Sequence, residues 1–141
     1  MTSRPASDRY RRLMDAGTPF PLQDLLGFTI ERGDGIAVAR LEVRSVHINP
    51  HGALHGGVPF TMLDTAMGAA VMTRVPDGHW CSTIDIHTRF LRPCTGGVIT
   101  ATATVRRAGR RVSHVDAVVT DADGNELVTG AGTFAIYAAP A

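Results

Sequence analysis

The chain has 141 residues, a net charge of +1 and 44% apolar residues. That length buries one core, that composition is too apolar for a disordered segment, and that charge argues against a general nucleic-acid binder. No apolar run reaches the roughly 20 residues of a membrane-spanning helix. Residues 1–8 lack the apolar stretch of an export signal, so the expectation is a cytoplasmic protein with no membrane or nucleic-acid partner. Every basic residue is Arg. Cys81 and Cys94 show neither metal-ligand nor disulfide-framework spacing, and both read as reduced.

Residues 1–20 read as an extension carrying a weak helix over Arg9–Ala16, and residues 21–141 as a single domain. Pro19–Leu26 reads as an apolar, turn-rich segment. Strands are expected over Gly27–Arg32 and Ile36–Arg44, joined by the hairpin turn Gly33-Asp34-Gly35. Ser45–Leu54 is a loop broken by Pro50 and Gly52. A helix starts near Gly56 and runs to about Arg74, with Pro59 tolerable only in its first turn. It is apolar nearly all round and is therefore expected to be buried, with Met62, Met67 and Met72 as core or interface filler. Four more strands follow over Ser82–Leu91, Val98–Arg107, Arg111–Thr120 and Glu126–Tyr137. Their short connections imply antiparallel neighbours. The layout is α+β: one long buried helix wrapped by a curved antiparallel sheet of five or six strands.

Asp64 stands out in this pattern. No other charged residue lies between Val58 and Thr73. A carboxylate in such surroundings is costly unless paired, hydrated or used. It follows the turn His55-Gly56-Gly57, whose glycines are candidate backbone donors. His47, His51 and His55 recur every four residues, a spacing that gathers ligands only on a helix. Pro50 and Gly52 prevent one there, so no metal site is expected.

The order of elements, together with Asn49, Gly52, His55-Gly56-Gly57, Leu63-Asp64-Thr65-Ala66 and Gly68, resembles the hotdog fold. Thr83-Ile84-Asp85-Ile86 and Phe90-Leu91-Arg92-Pro93 fit the same pattern. The closer likeness is to acyl-CoA thioesterases of the phenylacetate-degradation type, within the 4-hydroxybenzoyl-CoA thioesterase superfamily. The resemblance implies hydrolysis of an acyl-CoA thioester, with coenzyme A as part of the substrate and no separate cofactor. It implies a homodimer or a homotetramer. It makes Asp64 the general base or the nucleophile. It places Asn49 near the thioester carbonyl or the attacking water, Thr83 beside the carboxylate, and His55 as a brace of the turn or a substrate contact. A hydratase or dehydratase on the same fold, or an acyl-CoA-binding module without turnover, are the competing readings.

A buried helix start offers unpaired N–H groups and a favourable dipole, so the Gly56 or Gly57 amide is a candidate oxyanion donor. Gly56 and Asp64 are eight residues apart, about 12 Å along a helix axis. One chain cannot easily bring both to one carbonyl, whereas two helices antiparallel across a two-fold axis can. Period-two alternation puts Asp85, His87 and Arg89 on the face of Thr83. The basic tip Arg106–Arg111 offers phosphate contacts for coenzyme A, with Arg107 and Arg110 the favoured members.

Overall fold

A computed structural model describes residues 20–141. The helix expected over Arg9–Ala16, and with it nearly all of the N-terminal extension, lies outside the described residues. Pro21–Leu26 forms a short helix, α1, where a turn-rich segment was expected. Pro21 occupies the first turn, where its missing N–H is no loss, and Gly27 closes the other end at φ 87°.

Then come β1 (Thr29–Gly33), β2 (Ile36–Glu42), one 3-10 turn at Ser45–His47, α2 (Gly57–Met72), β3 (His79–Phe90), β4 (Val98–Ala108), β5 (Val112–Thr120) and β6 (Glu126–Ala138). The strands form one six-stranded sheet in the order β1-β2-β4-β5-β6-β3, with every pair antiparallel. The α+β layout is as expected. The chain leaves β2, builds α2 over the sheet and returns as β3 at the far edge, beside β6.

The helix sits on a floor of small residues. Ala37, Ala39, Ala101 and Ala103 are fully buried beneath it. On β6 a Cβ added to Gly132 would lie 2.8 Å from Met67 Sδ, so glycine there lets α2 approach the sheet. Met62, Leu63 and Met67 are fully buried, each such side chain contributing about 1.5–3 kcal/mol. The helix is not buried all round. Phe60 is exposed, and Thr61, Asp64 and Gly68 are only half-buried. These residues recur every three or four positions and form one stripe.

Two anchors place the helix. At its C-terminal end the Gly35 N–H donates to Thr73 Oγ1 at 2.8 Å, and Arg74 pairs with Asp34. The β1–β2 turn is thereby fastened to the helix end, which comes at Met72 rather than Arg74. At the other end the buried His47 ring accepts the Arg44 N–H at Nδ1 and bonds the Leu26 carbonyl through Nε2 at 2.7 Å.

The facing of β3 differs from simple alternation. The register with β6 shifts between Thr83 and Asp85, leaving Ile84 as a bulge. Thr83 pairs with the buried Phe134 on the helix side, whereas Asp85, His87 and Arg89 pair with Thr133, Ala131 and Thr129 on the outer side. The three charged or titratable residues therefore do not share a face with Thr83. One inserted residue reverses every later position.

Candidate active site

α2 runs antiparallel to β3, and its less buried stripe faces that strand. Three contacts mark the alignment. A Cβ on Gly56 would lie 3.1 Å from Phe90 Cε1. Thr83 Oγ1 donates to Asp64 Oδ1 at 2.7 Å. Cys81 Sγ points to the Gly68 carbonyl at 3.7 Å. The carboxylate thus meets the β3 segment around residues 81–83, and the glycine turn meets the end of β3 around residue 90.

Thr83 is the residue that partners Asp64, and its bond engages one carboxylate oxygen. Burial pushes the Cys81 thiol up to about 11, and the negative charge of Asp64 adds to that shift. A thiol so placed stays protonated and uncharged at neutral pH.

The helix start can be accounted for donor by donor. The Gly57 N–H donates to His55 Nδ1 at 2.9 Å. The Val58 N–H donates to the His55 carbonyl, and the Phe60 N–H to the Gly56 carbonyl. Pro59 has no N–H. Only the Gly56 N–H is left without a protein partner among the described residues. His55 therefore braces the turn, and of the two candidate glycine amides one is engaged and one is open. Gly56 has φ −58°, so its backbone does not require glycine. A Cβ there would crowd the exposed Phe90 ring, which would have to give by a few tenths of an ångström.

Asn49 folds the loop ahead of this turn. Its Oδ1 accepts the N–H groups of His51 at 2.9 Å and Ala53 at 3.2 Å. Its carbonyl oxygen is committed to an Asx-type loop, and its amide nitrogen remains as a donor. Asn49 and Gly56 both line a cleft of about 310 Å³, walled mainly by Leu54, Pro59, Phe90, Pro93 and Val128. Asp64 and Thr83 do not line it. Within one chain the cleft with Gly56 and Asn49 and the Asp64–Thr83 pair thus lie at different levels of β3.

The cation at the cleft is Arg92, to which the sequence reading gave no role. It reaches Asn125 Oδ1 at 3.4 Å. Asn125 in turn holds the Asp121 carboxyl below the usual range through hydrogen bonds, with a smaller contribution from Arg92. Arg107 and Arg110 are exposed and lie toward the other end of the sheet, where β5 begins against Ala135 of β6. The fold does not bring them to the cleft of their own chain. Arg106 is paired with Asp116 at 3.4 Å. No described helix is long and apolar enough to cross a membrane.

Comparison with known proteins agrees with this architecture. Residues 51–128 match the Thioesterase superfamily. A Halobacterium salinarum protein named as an esterase, VNG_1336C, is 32% identical over 149 aligned positions, covering 97% of this chain and 98% of that one. The acyl-coenzyme A thioesterase PaaI of Escherichia coli is 35% identical over 89 residues, covering 62% of this chain and 61% of that protein. The structure of a conserved protein, PA5202, from Pseudomonas aeruginosa superposes with TM-score 0.80 at 30% identity, covering 84% of this chain and 95% of that one. The E. coli PaaI structure superposes with TM-score 0.79 at 26% identity, covering 85% of this chain and 86% of that one. A six-stranded antiparallel sheet around one long helix, with an Asp on that helix and a glycine turn at its start, is here the hotdog fold of a PaaI-like thioester hydrolase, and the chain belongs to the thioesterase superfamily.

Proposed function

We propose that the protein is an acyl-CoA thioesterase for small aromatic or short- to medium-chain acyl groups, working at sites shared between two copies of the chain. The observation that carries this reading is the stripe along β3, with the Thr83-bound Asp64 carboxylate at one level and the open Gly56 amide at the other. β3 is an edge strand of 12 residues, and an edge of that length invites pairing. Phe60, Ile84 and Phe90 are exposed, on the helix stripe and on β3 itself. A two-fold axis crossing β3 midway between Thr83 and Phe90 would set the Gly56 end of one chain opposite the Asp64 of the other.

In that arrangement the Gly56 N–H, helped by the Asn49 amide, polarises the thioester carbonyl. Thr83 holds Asp64 Oδ1, leaving Oδ2 to take a proton from water as general base. The water oxygen bonds to the acyl carbon, the carbon–sulfur bond breaks, and the thiolate of coenzyme A leaves and is protonated. The apolar cleft suits an acyl chain, an aryl ring or the pantetheine arm. Arg92, with Arg107 or Arg110 from the second copy, offers charge for the phosphates.

The test is complementation between two inactive variants, Asp64→Asn and Gly56→Val. A mixed dimer has one site with both residues intact. Co-refolded or co-expressed variants should recover about a quarter of wild-type turnover. No recovery, with mixed dimers demonstrably formed, would place both residues in one chain's site.

A further inference from the structure

The turn that opens α2 has a titratable ring built into it. His55 Nδ1 accepts the Gly57 N–H at 2.9 Å, which only the neutral imidazole protonated on Nε2 can do. The same residue accepts the Val58 N–H at its carbonyl at 3.0 Å and donates its own N–H to the His47 carbonyl at 2.8 Å. The His55 carbonyl and the Gly56 N–H belong to one planar trans peptide and point in opposite directions. Holding that carbonyl on Val58 therefore aims the Gly56 N–H away from the helix.

We infer that His55 is a positioning residue that works as a protonation switch: the Gly56 donor is correctly held only while the His55 ring is neutral. This rests on the role proposed for Gly56. Uptake of a proton converts Nδ1 from acceptor to donor and sets it against the Gly57 N–H. The ring lies directly against the glycine, since a Cβ on Gly57 would lie 3.0 Å from Nδ1 and 3.2 Å from Cε1, so the two like donors are held face to face. His55 is exposed, so the charged ring swings into water and the turn loses its brace. The titratable or charged side chains on the elements bonded to this turn are Arg44, His47, His51, Arg92, Cys94 and, on α2, Asp64, with His79, Cys81, Asp85, His87 and Arg89 on the adjoining strand β3. None forms an ion pair with His55 among the described residues. His47 is buried and also accepts a backbone N–H at Nδ1, so a variant at 55 is needed to separate the two.

The experiment follows kcat/KM on an acyl-CoA thioester from roughly pH 8 to 5, the range in which imidazole changes charge. The amide resonance of Gly57 is followed over the same range without substrate. In the wild type, kcat/KM should fall about tenfold per pH unit on the acid side, and the Gly57 amide should shift with the same midpoint. His55→Asn supplies an oxygen acceptor that does not titrate. It should stay within a few-fold of wild type near neutrality, with its acid limb displaced to below about pH 5, where carboxylates protonate. His51→Gln should keep the wild-type profile. An acid limb that persists in His55→Asn or is lost in His51→Gln, or a Gly57 amide unmoved across the limb, overturns the inference. A wild type that hydrolyses no acyl-CoA would defeat the proposed function instead, and the Gly57 titration would still decide whether His55 controls the turn.

Discussion

Thr83 on the edge strand and Asp64 on the central helix are joined by a 2.7 Å hydrogen bond from hydroxyl to carboxylate. The bond selects one carboxylate oxygen and leaves the other for chemistry. Hydrogen bonds to charged groups contribute about 1.5–3 kcal/mol. Thr83→Val should therefore lower the thermal midpoint by a few degrees and, if the bond orients Asp64 in the reaction, lower kcat by about tenfold or more, while Thr83→Ser should keep most of both. Thermal melts and steady-state kinetics on matched folded protein check both. A Thr83→Val enzyme with unchanged kcat would reduce the bond to a structural detail.

Gly56 packs tightly against Phe90. A methyl group there meets the Phe90 ring at 3.1 Å. Gly56→Ala should lower kcat/KM, because the displaced ring disturbs the open amide. Phe90→Leu should restore part of the loss in the double variant. A double-mutant cycle measures this coupling. Purely additive effects would show that Phe90 and Gly56 do not act on one another.

Cys81 carries a pH signature. Its folded-state value is raised to about 11 by burial and by Asp64, against roughly 8.5 for an unfolded thiol. A raised acid favours the protonated folded state. The contribution is complete below the unfolded value and is lost as pH rises toward 11. Thermal midpoints between pH 8 and 11 should therefore fall more steeply for the wild type than for Cys81→Ala. Parallel slopes would contradict the burial of the thiol beside the carboxylate.

Phe60 sits on the helix stripe beside β3 and is 39% exposed in the single chain. Phe60→Asp should leave the fold intact by circular dichroism, shift the molecular mass in light scattering to that of one chain, and remove turnover. A monomeric variant with full activity would show that one chain suffices.

Much of this was legible in the sequence, for definable reasons. The helix showed itself by a long apolar run with Pro59 in its first turn, and the strands by their Val- and Thr-rich segments between short turns. Asp64 announced itself as a lone charge in an apolar helix, and the eight-residue gap to Gly56 pointed to two half-sites. The helix α1 was missed because six residues carry too little periodicity to outweigh two prolines. The facing of Asp85, His87 and Arg89 was misjudged because a bulge at Ile84 has no local sequence mark. The closure of His55 Nδ1 on Gly57, which separates the two glycine amides, depends on ring orientation and could not be read from residue order. Arg92 belongs to the Phe90-Leu91-Arg92-Pro93 pattern, but its place at the cleft is set by the fold and not by the residue order.

The most direct measurement is release of free thiol from a panel of aromatic and aliphatic acyl-CoAs, comparing wild type with Asp64→Asn at equal folded concentration. Wild type should turn over at least one acyl class, and Asp64→Asn should lose that turnover almost completely with thermal stability and coenzyme A binding retained. Full turnover by a folded Asp64→Asn protein would remove Asp64 from the reaction.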